Sequence, residues 1–598
     1  MTDTSHGQTD STSVYLAPPG RTRLFRLYGR VVPASLRARI RRRMSSSLRD
    51  QLLRLVAIRT SRQGGGISRI WAGRRLRTMV EPELAVVRTE QWHVIASVLP
   101  QPSHLAIRRL VADEVEALLR QAGVPYFWVR GYRRIASVVA VPASARPTVL
   151  AALRQHGAHR PLYLAPVSDD RVGKPRLAQR SRERRLRHLA VIRVSRYVVD
   201  ASGSLLFGTE CGCDIEFWPE KDGRLWAPRP NRMVDSVPVH GDQIRLPEAD
   251  FTPFAPRTST GPELLTRVEF AGRTLTDVPF PIDVVYTWVD GADPAWQARR
   301  DMALQKTGRP ALAQSANEGR YADHDELRYS LRSLRMYAPW VRKVWLVTDD
   351  QVPPWLRLDR PDLEVVSHKQ IFRDPTALPV FNSHAIEAQL HHIEGLAEHF
   401  LYLNDEVFFG RPLLPQHFFT PNGLSKVFPS RAKVPPGPVD PAVDIPSSAA
   451  GKNNRRLIER DFRLRLVTKM KHTPHALRRS LLWEIERRYA EEISDTIRQP
   501  FRSPTDVSLA SSLYQHYAYA TGRAVLGELR NLYVDISSPE FAPVLTLLGV
   551  KRNYDVFCLN DTVSNGQEHQ AQTRLVQSFL ARYFPIPSPW EEQDEHFS

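Results

Sequence analysis

The sequence predicts an α/β protein. A mainly parallel sheet with a helical insertion fills the second half of the chain, and a mixed α/β accessory region precedes it. Three observations carry this. From about residue 281 onward, short runs rich in Val, Leu, Ile and Tyr alternate with amphipathic helical stretches, the texture of strands joined by crossovers. The runs read as continuously apolar, as strands buried on both faces do. Three of them end in polar or acidic clusters, and ligands in open α/β sheets gather at the carboxyl ends of strands.

At 598 residues the chain exceeds one core and fits roughly three or four domains. Residues 1–20 are rich in Ser, Thr, Gly and Pro and are expected to be disordered. Residues 21–80 form a basic amphipathic helical segment, with Leu36, Ile40, Met44, Leu48, Leu52 and Val56 at helical spacing. Such a segment can bind nucleic acid, lie on an acidic membrane face, or pack its apolar side on the next domain.

Residues 81–275 are expected to be an accessory module. Strand-like runs lie at 92–99, 126–130, 137–141 and around 192–199, with a helix at 111–122. A hairpin is expected in 205–239, its polar turn at Asp222-Gly223. No catalytic spacing is visible there. Residues 276–598 are expected to form the catalytic domain. The hydrophobic strand that opens at Ile282 is followed by a helix at 326–337 stopped by Ala338-Pro339, and by strands at 343–348, 363–367 and 399–403. A helix is expected at 382–392, a loop or lid at 420–454, and helical text at 454–498 broken by Lys471-His472-Thr473-Pro474-His475.

Composition narrows the function. Hydrophobic residues make up 42%, enough to fold, and no run of about 18 uncharged apolar residues occurs. The N-terminus lacks the apolar core of a signal peptide, so a cytoplasmic location is expected. The net charge of +19 points to anionic partners. Three cysteines cannot make a disulfide framework, and Cys211-x-Cys213 has no second Cys/His pair nearby to complete a zinc site. His391-His392 lacks a third ligand at useful spacing, which favours helix packing over zinc.

The most informative stretch is Ile282-Asp283-Val284-Val285-Tyr286-Thr287-Trp288-Val289-Asp290-Gly291-Ala292-Asp293-Pro294. A hydrophobic strand here runs into carboxylates on a Gly/Pro turn, which allows a metal site, a phosphate site or a plain bend.

Four separated blocks, in order over residues 281–592, resemble one family. The first is the strand just quoted. The second runs from Asp325-Glu326-Leu327-Arg328-Tyr329-Ser330 through Phe381-Asn382-Ser383-His384-Ala385-Ile386-Glu387 to Tyr402-Leu403-Asn404-Asp405-Glu406. The third is Lys471-His472-Thr473-Pro474-His475 with Phe501-Arg502-Ser503, and the fourth Cys558-Leu559-Asn560-Asp561 with Phe584-Pro585-Ile586-Pro587. Together they resemble the Stealth family of hexose-1-phosphate transferases, whose bacterial members build phosphodiester-linked capsular or exopolysaccharides. The composition suits an actinobacterial-type member.

The resemblance implies a nucleotide-sugar-binding sheet of glycosyltransferase-A-like kind, a nucleotide sugar donor and a glycan acceptor. It places His472 and Arg502 in the active site, with Asn382, Asn404 and Asn560 supplying amide hydrogen bonds. Two departures stand out: Asp405-Glu406 where the family usually has Asp-Asp, and Asp323-His324-Asp325 where Asp-Asn usually precedes the Glu-Leu-Arg helix.

Such a transfer needs cations near the diphosphate, a base near the acceptor hydroxyl and usually a divalent metal. Asp290, Asp405 and Glu406 stand at strand ends, where carboxylates suit a hard cation such as Mg²⁺ or Mn²⁺; Asp405 and Glu406 are the expected ligands. His472 is the candidate base, with Asp405 its competitor, because imidazole titrates near neutrality. Arg502 and Arg328 offer guanidinium forks to a diphosphate, Arg328 being equally suited to a structural ion pair. Asp283, Asp290, Glu387 and His475 complete the expected donor and sugar side.

Two rivals stand beside this reading. One is an ordinary nucleotide-sugar glycosyltransferase, which would release a nucleoside diphosphate rather than a monophosphate. The other is a basic nucleic-acid-binding protein, although the catalytic blocks make nucleic acid an unexpected partner. Residues 21–77 are expected to hold the enzyme against the acidic inner face of the cell membrane.

Overall fold

The computed structural model describes residues 83–592, apart from 90–91, 133–134, 169–170, 182, 259, 308–320, 322–323, 539 and 562–566. The expected tail, the basic segment 21–80 and Asp323 lie outside the described residues.

The described chain forms two compact units. The first comprises 83–246, 263–271 and 545–553, and the second 247–262, 272–544 and 554–592. A short C-terminal piece, 545–553, thus belongs to the first unit.

The first unit holds a mixed sheet in which Cys213–Trp218 runs parallel to Ser137–Pro142 and antiparallel to Val191–Arg196. A second sheet pairs His93–Leu99 with Leu84–Arg88 on one side and with Val198–Asp200 on the other. The expected helix starts earlier than its apolar run, at His104–Gln121, because the Ser103 hydroxyl caps it by accepting from the Ala106 amide at 3.1 Å. The hairpin turn forms as read: Lys221 pairs with Arg224, and Asp222 and Gly223 take φ of 54° and 69°. Those are the left-handed conformations that a two-residue hairpin turn needs. Inside this unit Arg193 grips Asp214 through two bonds of 2.6 and 2.8 Å, and Arg229 bridges Asp214 to Glu216.

The second unit carries eight strands relevant to function: β1 (Ile282–Thr287), β2 (Val344–Thr348), β3 (Leu363–Ser367), β4 (His399–Asn404), β5 (Val407–Phe409), β6 (His475–Arg478), β7 (Asn531–Asp535) and β8 (Val556–Asn560). Its main sheet has the order β3-β2-β1-β4-β6. The first four strands are parallel and β6 is an antiparallel edge. The parallel strands require crossovers, and α1 (Glu326–Tyr337) lies in the one from β1 to β2 and α2 (Ser383–Glu387) in the one from β3 to β4; α3 (Pro446–Phe462) lies between β5 and β6, and α4 (Arg479–Arg488) follows β6. Val284, Val285, Phe400 and Leu401 are fully buried at the centre of the sheet, as the unbroken apolar text of β1 and β4 requires. A smaller sheet of order β5-β8-β7 stands beside it.

Two expectations change. The expected helix at 382–392 is short: α2 ends at Glu387, and Leu390–His392 is a separate 3-10 turn. The expected lid at 420–454 is mostly structured. Ser425–Val427 pairs with Ala524–Leu526, Pro429–Lys433 pairs with Thr468–Met470, and α3 already begins at Pro446. Proline suits that first turn, where its missing N–H is not needed. Among the described residues, no helix is long and apolar enough to cross a membrane.

Candidate active site

β1 and β4 run in register, with Thr287 opposite Asn404, so their carboxyl ends lie level. Immediately after β4 the chain turns through Asp405 and Glu406 into β5. That turn is clamped from behind by α1. The Ser330 hydroxyl donates to the Val407 carbonyl at 2.6 Å and accepts from Tyr286, while Ser333 accepts from the Phe409 amide at 3.0 Å.

His472 reaches the turn from the segment before β6. Its Nε2 stands 3.2 Å from Glu406 Oε1, an ion-pair distance set at an angle that leaves Nε2 without a well-aligned hydrogen bond. Burial opposes charge on both groups, but their attraction prevails. Glu406 is held below the ordinary carboxylate value. His472 is raised above the ordinary imidazole value, with the charge of Glu387 adding to that of Glu406 and the charge of Arg502 opposing. The side chains remain 36% and 19% exposed, although His472 Nε2 itself is covered where it meets Glu406.

Cys558 of β8 completes a triad. One donor atom each from Glu406, His472 and Cys558 lies within 4.8 Å of the others. Burial first, then the charges of Glu406 and Asp405, push the thiol well above its ordinary value, so Cys558 is neutral without a cation. The Asp405 side chain adjoins Glu406. A carboxylate pair open to solvent suits a hard cation shared with phosphate oxygens, and His472 and Cys558 add donors that a softer ion would use. The residues present therefore fit a divalent metal.

Around this centre, Glu387 at the end of α2 is buried, receives the Ser511 hydroxyl at 2.7 Å and faces the Tyr402 hydroxyl at 3.4 Å. It is not the solvated helix carboxylate that its sequence position allowed. Arg502 donates to the Ser383 hydroxyl at 2.5 Å while within electrostatic reach of His472. Asn560 at the end of β8 donates to the Tyr533 hydroxyl at 2.6 Å, and the Tyr533 ring lies 6.3 Å from that of His472. Asn404 closes β4, half-buried, beside the Asp405 turn.

Other expected residues are elsewhere. Asp283 sits at the entry end of β1, away from the carboxyl edge. It accepts from Arg342 at 2.7 and 2.5 Å, from the Trp345 indole at 3.0 Å and from the Ala397 amide at 2.9 Å, so it is a structural anchor and not a donor ligand. Asn382 is fully buried, caps α2 and donates to Asp506 at 2.9 Å, which leaves it no free amide for a sugar. Arg328 takes the ion-pair alternative, bonding Asp325 at 3.2 Å beside Glu591 and lying over the Trp355 ring. His475 begins β6, meets Gln515 at 3.2 Å and stacks over Tyr402; burial, then the charge of His472, lowers it to about 3, so it is a neutral wall. Asp290 lies past the end of β1 in a turn, where it accepts from the Ala292 amide at 2.8 Å. His324, read as an amide substitute, is buried between Thr573 at 2.8 Å and Asp561 at 3.4 Å.

Sequence reading missed the parts played by Cys558, Tyr402, Ser511 and Tyr533. Cys558 alone had a usable signal, because it precedes Asn560 in the fourth block and a buried strand ending in polar residues can carry a ligand.

Stealth protein conserved regions 1, 2, 3 and 4 match residues 280–308, 320–427, 471–519 and 548–598. An exopolysaccharide phosphotransferase of Streptomyces coelicolor is 46% identical over 95% of this chain and 97% of its own. A second from that organism is 43% identical over 96% and 99%. Exopolysaccharide phosphotransferase CpsY of Mycobacterium leprae is 37% identical over 80% of this chain and 86% of its own. Among solved structures, galactosyltransferase LgtC matches 53% of this chain and 99% of its own at 9% identity, with a TM-score of 0.27, too slight a likeness to argue from. The chain belongs to the Stealth family.

Proposed function

We propose that this chain is an exopolysaccharide phosphotransferase that moves a hexose-1-phosphate from a nucleotide sugar to a glycan hydroxyl. The acceptor oxygen bonds to the sugar-proximal phosphorus, the phosphoanhydride bond breaks, and a nucleoside monophosphate leaves. The observation that carries this is the Glu406, His472 and Cys558 cluster at the carboxyl end of β4, with Arg502 in electrostatic reach, in a chain whose relatives bear that name.

His472 in its neutral form takes the acceptor proton at Nδ1, since its Nε2 is covered and set against Glu406 Oε1. Glu406 orients the ring and stabilises the imidazolium that results. Glu387, held by Ser511 and Tyr402, adds a second fixed negative charge behind it. Arg502 offers its guanidinium to the diphosphate, and Asn404 and Asn560 present amides at adjoining strand ends. A divalent cation, Mg²⁺ or Mn²⁺, would be held by Glu406 and Asp405, and would neutralise charge on the phosphate oxygens. Residues 21–77 would bring the enzyme to an anionic membrane surface that carries the acceptor glycan, a contact that vesicle sedimentation with and without those residues tests.

The test of the reaction is a screen of nucleotide sugars with a glycan acceptor, followed by phosphorus NMR. A new phosphodiester resonance dependent on the chain is the expected result. Turnover that yields only a nucleoside diphosphate would support the glycosyltransferase reading instead.

A further inference from the structure

His391 and His392 find in three dimensions the third ligand that their sequence neighbourhood lacks. Glu486 of α4 approaches both: its Oε2 stands 2.9 Å from His391 Nε2 and 3.1 Å from His392 Nε2. The three donor atoms all lie within 4.8 Å of one another. Ligands about 2.0–2.1 Å from a tetrahedral zinc ion stand about 3.3 Å apart, so small adjustments bring these three to that spacing.

The hydrogen bonding of His392 points the same way. Its Nδ1 lies 3.0 Å from the Ile371 carbonyl oxygen, which can only accept, so Nδ1 carries a hydrogen. A neutral ring then presents its Nε2 lone pair to a carboxylate oxygen, two acceptors face to face. Either a second proton or a cation must stand between them. An Nδ1–H held by a backbone carbonyl is also the usual support behind a metal-binding Nε2. Burial alone would raise the Glu486 carboxyl, yet the two imidazoles draw it down to about 2.

The surroundings hold the rings in place and leave one side open. The Trp483 ring stacks on His392 at 4.5 Å and meets His391 edge-on at 4.6 Å, while Arg373 covers Trp483 at 4.4 Å. His391 is fully buried, His392 nearly so, and Glu486 is 20% exposed. Glu486 borders a surface cleft of about 420 Å³ that Trp483, Arg373 and Arg487 also line. A fourth ligand, water or a small anion, can enter from that side.

We propose that His391, His392 and Glu486 bind one zinc ion, separate from the transfer centre, tying the Leu390–His392 turn to α4. With three protein ligands and one exchangeable position, it resembles open rather than fully closed zinc coordination.

The test uses the full chain stripped by a chelator and then dialysed against zinc or cobalt alone. Among the described residues two other triads, Glu406 with His472 and Cys558, and His104 with Glu210 and Cys211, could also take metal, but both contain a thiol. Cobalt in the proposed site should therefore give visible ligand-field bands without thiolate charge transfer. Wild-type protein should retain one equivalent of zinc more than His392→Ala or Glu486→Gln, with affinity reduced at least tenfold in either variant. Glu486→Gln is isosteric, so it decides the matter if His392→Ala misfolds. Equal zinc content in wild type and Glu486→Gln, thiolate bands alone, or no binding to wild type would overturn the proposal and leave a proton-bridged His392–Glu486 pair.

Discussion

Glu406 Oε1 stands 3.2 Å from His472 Nε2, joining the turn after β4 to the segment that enters β6. The pair needs two long-range facts at once, the β4–β5 turn fixed by Ser330 and Ser333 on α1, and β6 added antiparallel to β4. It explains how one imidazole is kept oriented at a solvent-accessible edge.

Replacing His472 by Ala should lower turnover by about 10²–10⁴, the usual contribution of a positioned base. Asp405→Asn should abolish metal-supported transfer to a similar degree. Both variants should retain wild-type circular dichroism, since both side chains lie at the open edge of the sheet. Steady-state kinetics on the purified variants check this, and near-normal turnover in both would remove the assigned centre.

Asp283→Asn should behave in the opposite way. The change removes the charge that pairs with Arg342 and weakens the bonds from Trp345 and Ala397, so a stability loss of about 2–4 kcal/mol is expected. At a temperature where the variant is folded, kcat and KM should stay within about threefold of wild type. Thermal melts read beside kinetics separate the two effects, and a selective loss of donor binding would return Asp283 to the site.

Acid should act on the first unit through Asp214. Burial would raise this carboxyl, but Arg193 and Arg229 bring it down to about 2, below its ordinary unfolded value of 3.8. A folded value lower than the unfolded one contributes stability that is fully present above the unfolded value and is lost as pH falls through the folded one. The loss should therefore run from about pH 4 to pH 2 and amount to about 2 kcal/mol from this group. Asp214→Asn should flatten that dependence and cost about 3–5 kcal/mol at neutral pH, because Arg193 is left buried with half its partner gone. Denaturant melts across that range provide the check.

The sheet was legible because strands buried on both faces write themselves as unbroken apolar runs, as β1, β2 and β4 do. The helix α1 was legible to its end, since Leu327, Leu331 and Leu334 share one face and Ala338-Pro339 stops it. What sequence hid was direction and distance. Asp283 lies at the amino end of β1 and Asp290 beyond its carboxyl end, and the fold shows that Asp283 is taken up by Arg342, Trp345 and Ala397. The resemblance gives Asn382 an amide role toward the substrate, but the N-cap of α2 and Asp506 take its hydrogen bonds. Cys558 joins Glu406 only through the pairing of β5 with β8, where Val407 faces Cys558, a long-range contact that no local pattern encodes. The composition of 420–454 misled for a local reason, because proline both breaks helices and starts them.

The central claim is that the bond to phosphorus, not the bond to the sugar carbon, is remade at this edge. A donor labelled with oxygen-18 in the bridge between the anomeric carbon and the proximal phosphorus tests it most directly, with mass spectrometry of both products. The account predicts that the label stays with the glycan, inside a new phosphodiester, and that an unlabelled nucleoside monophosphate is released. Label recovered in a released nucleoside diphosphate would contradict it.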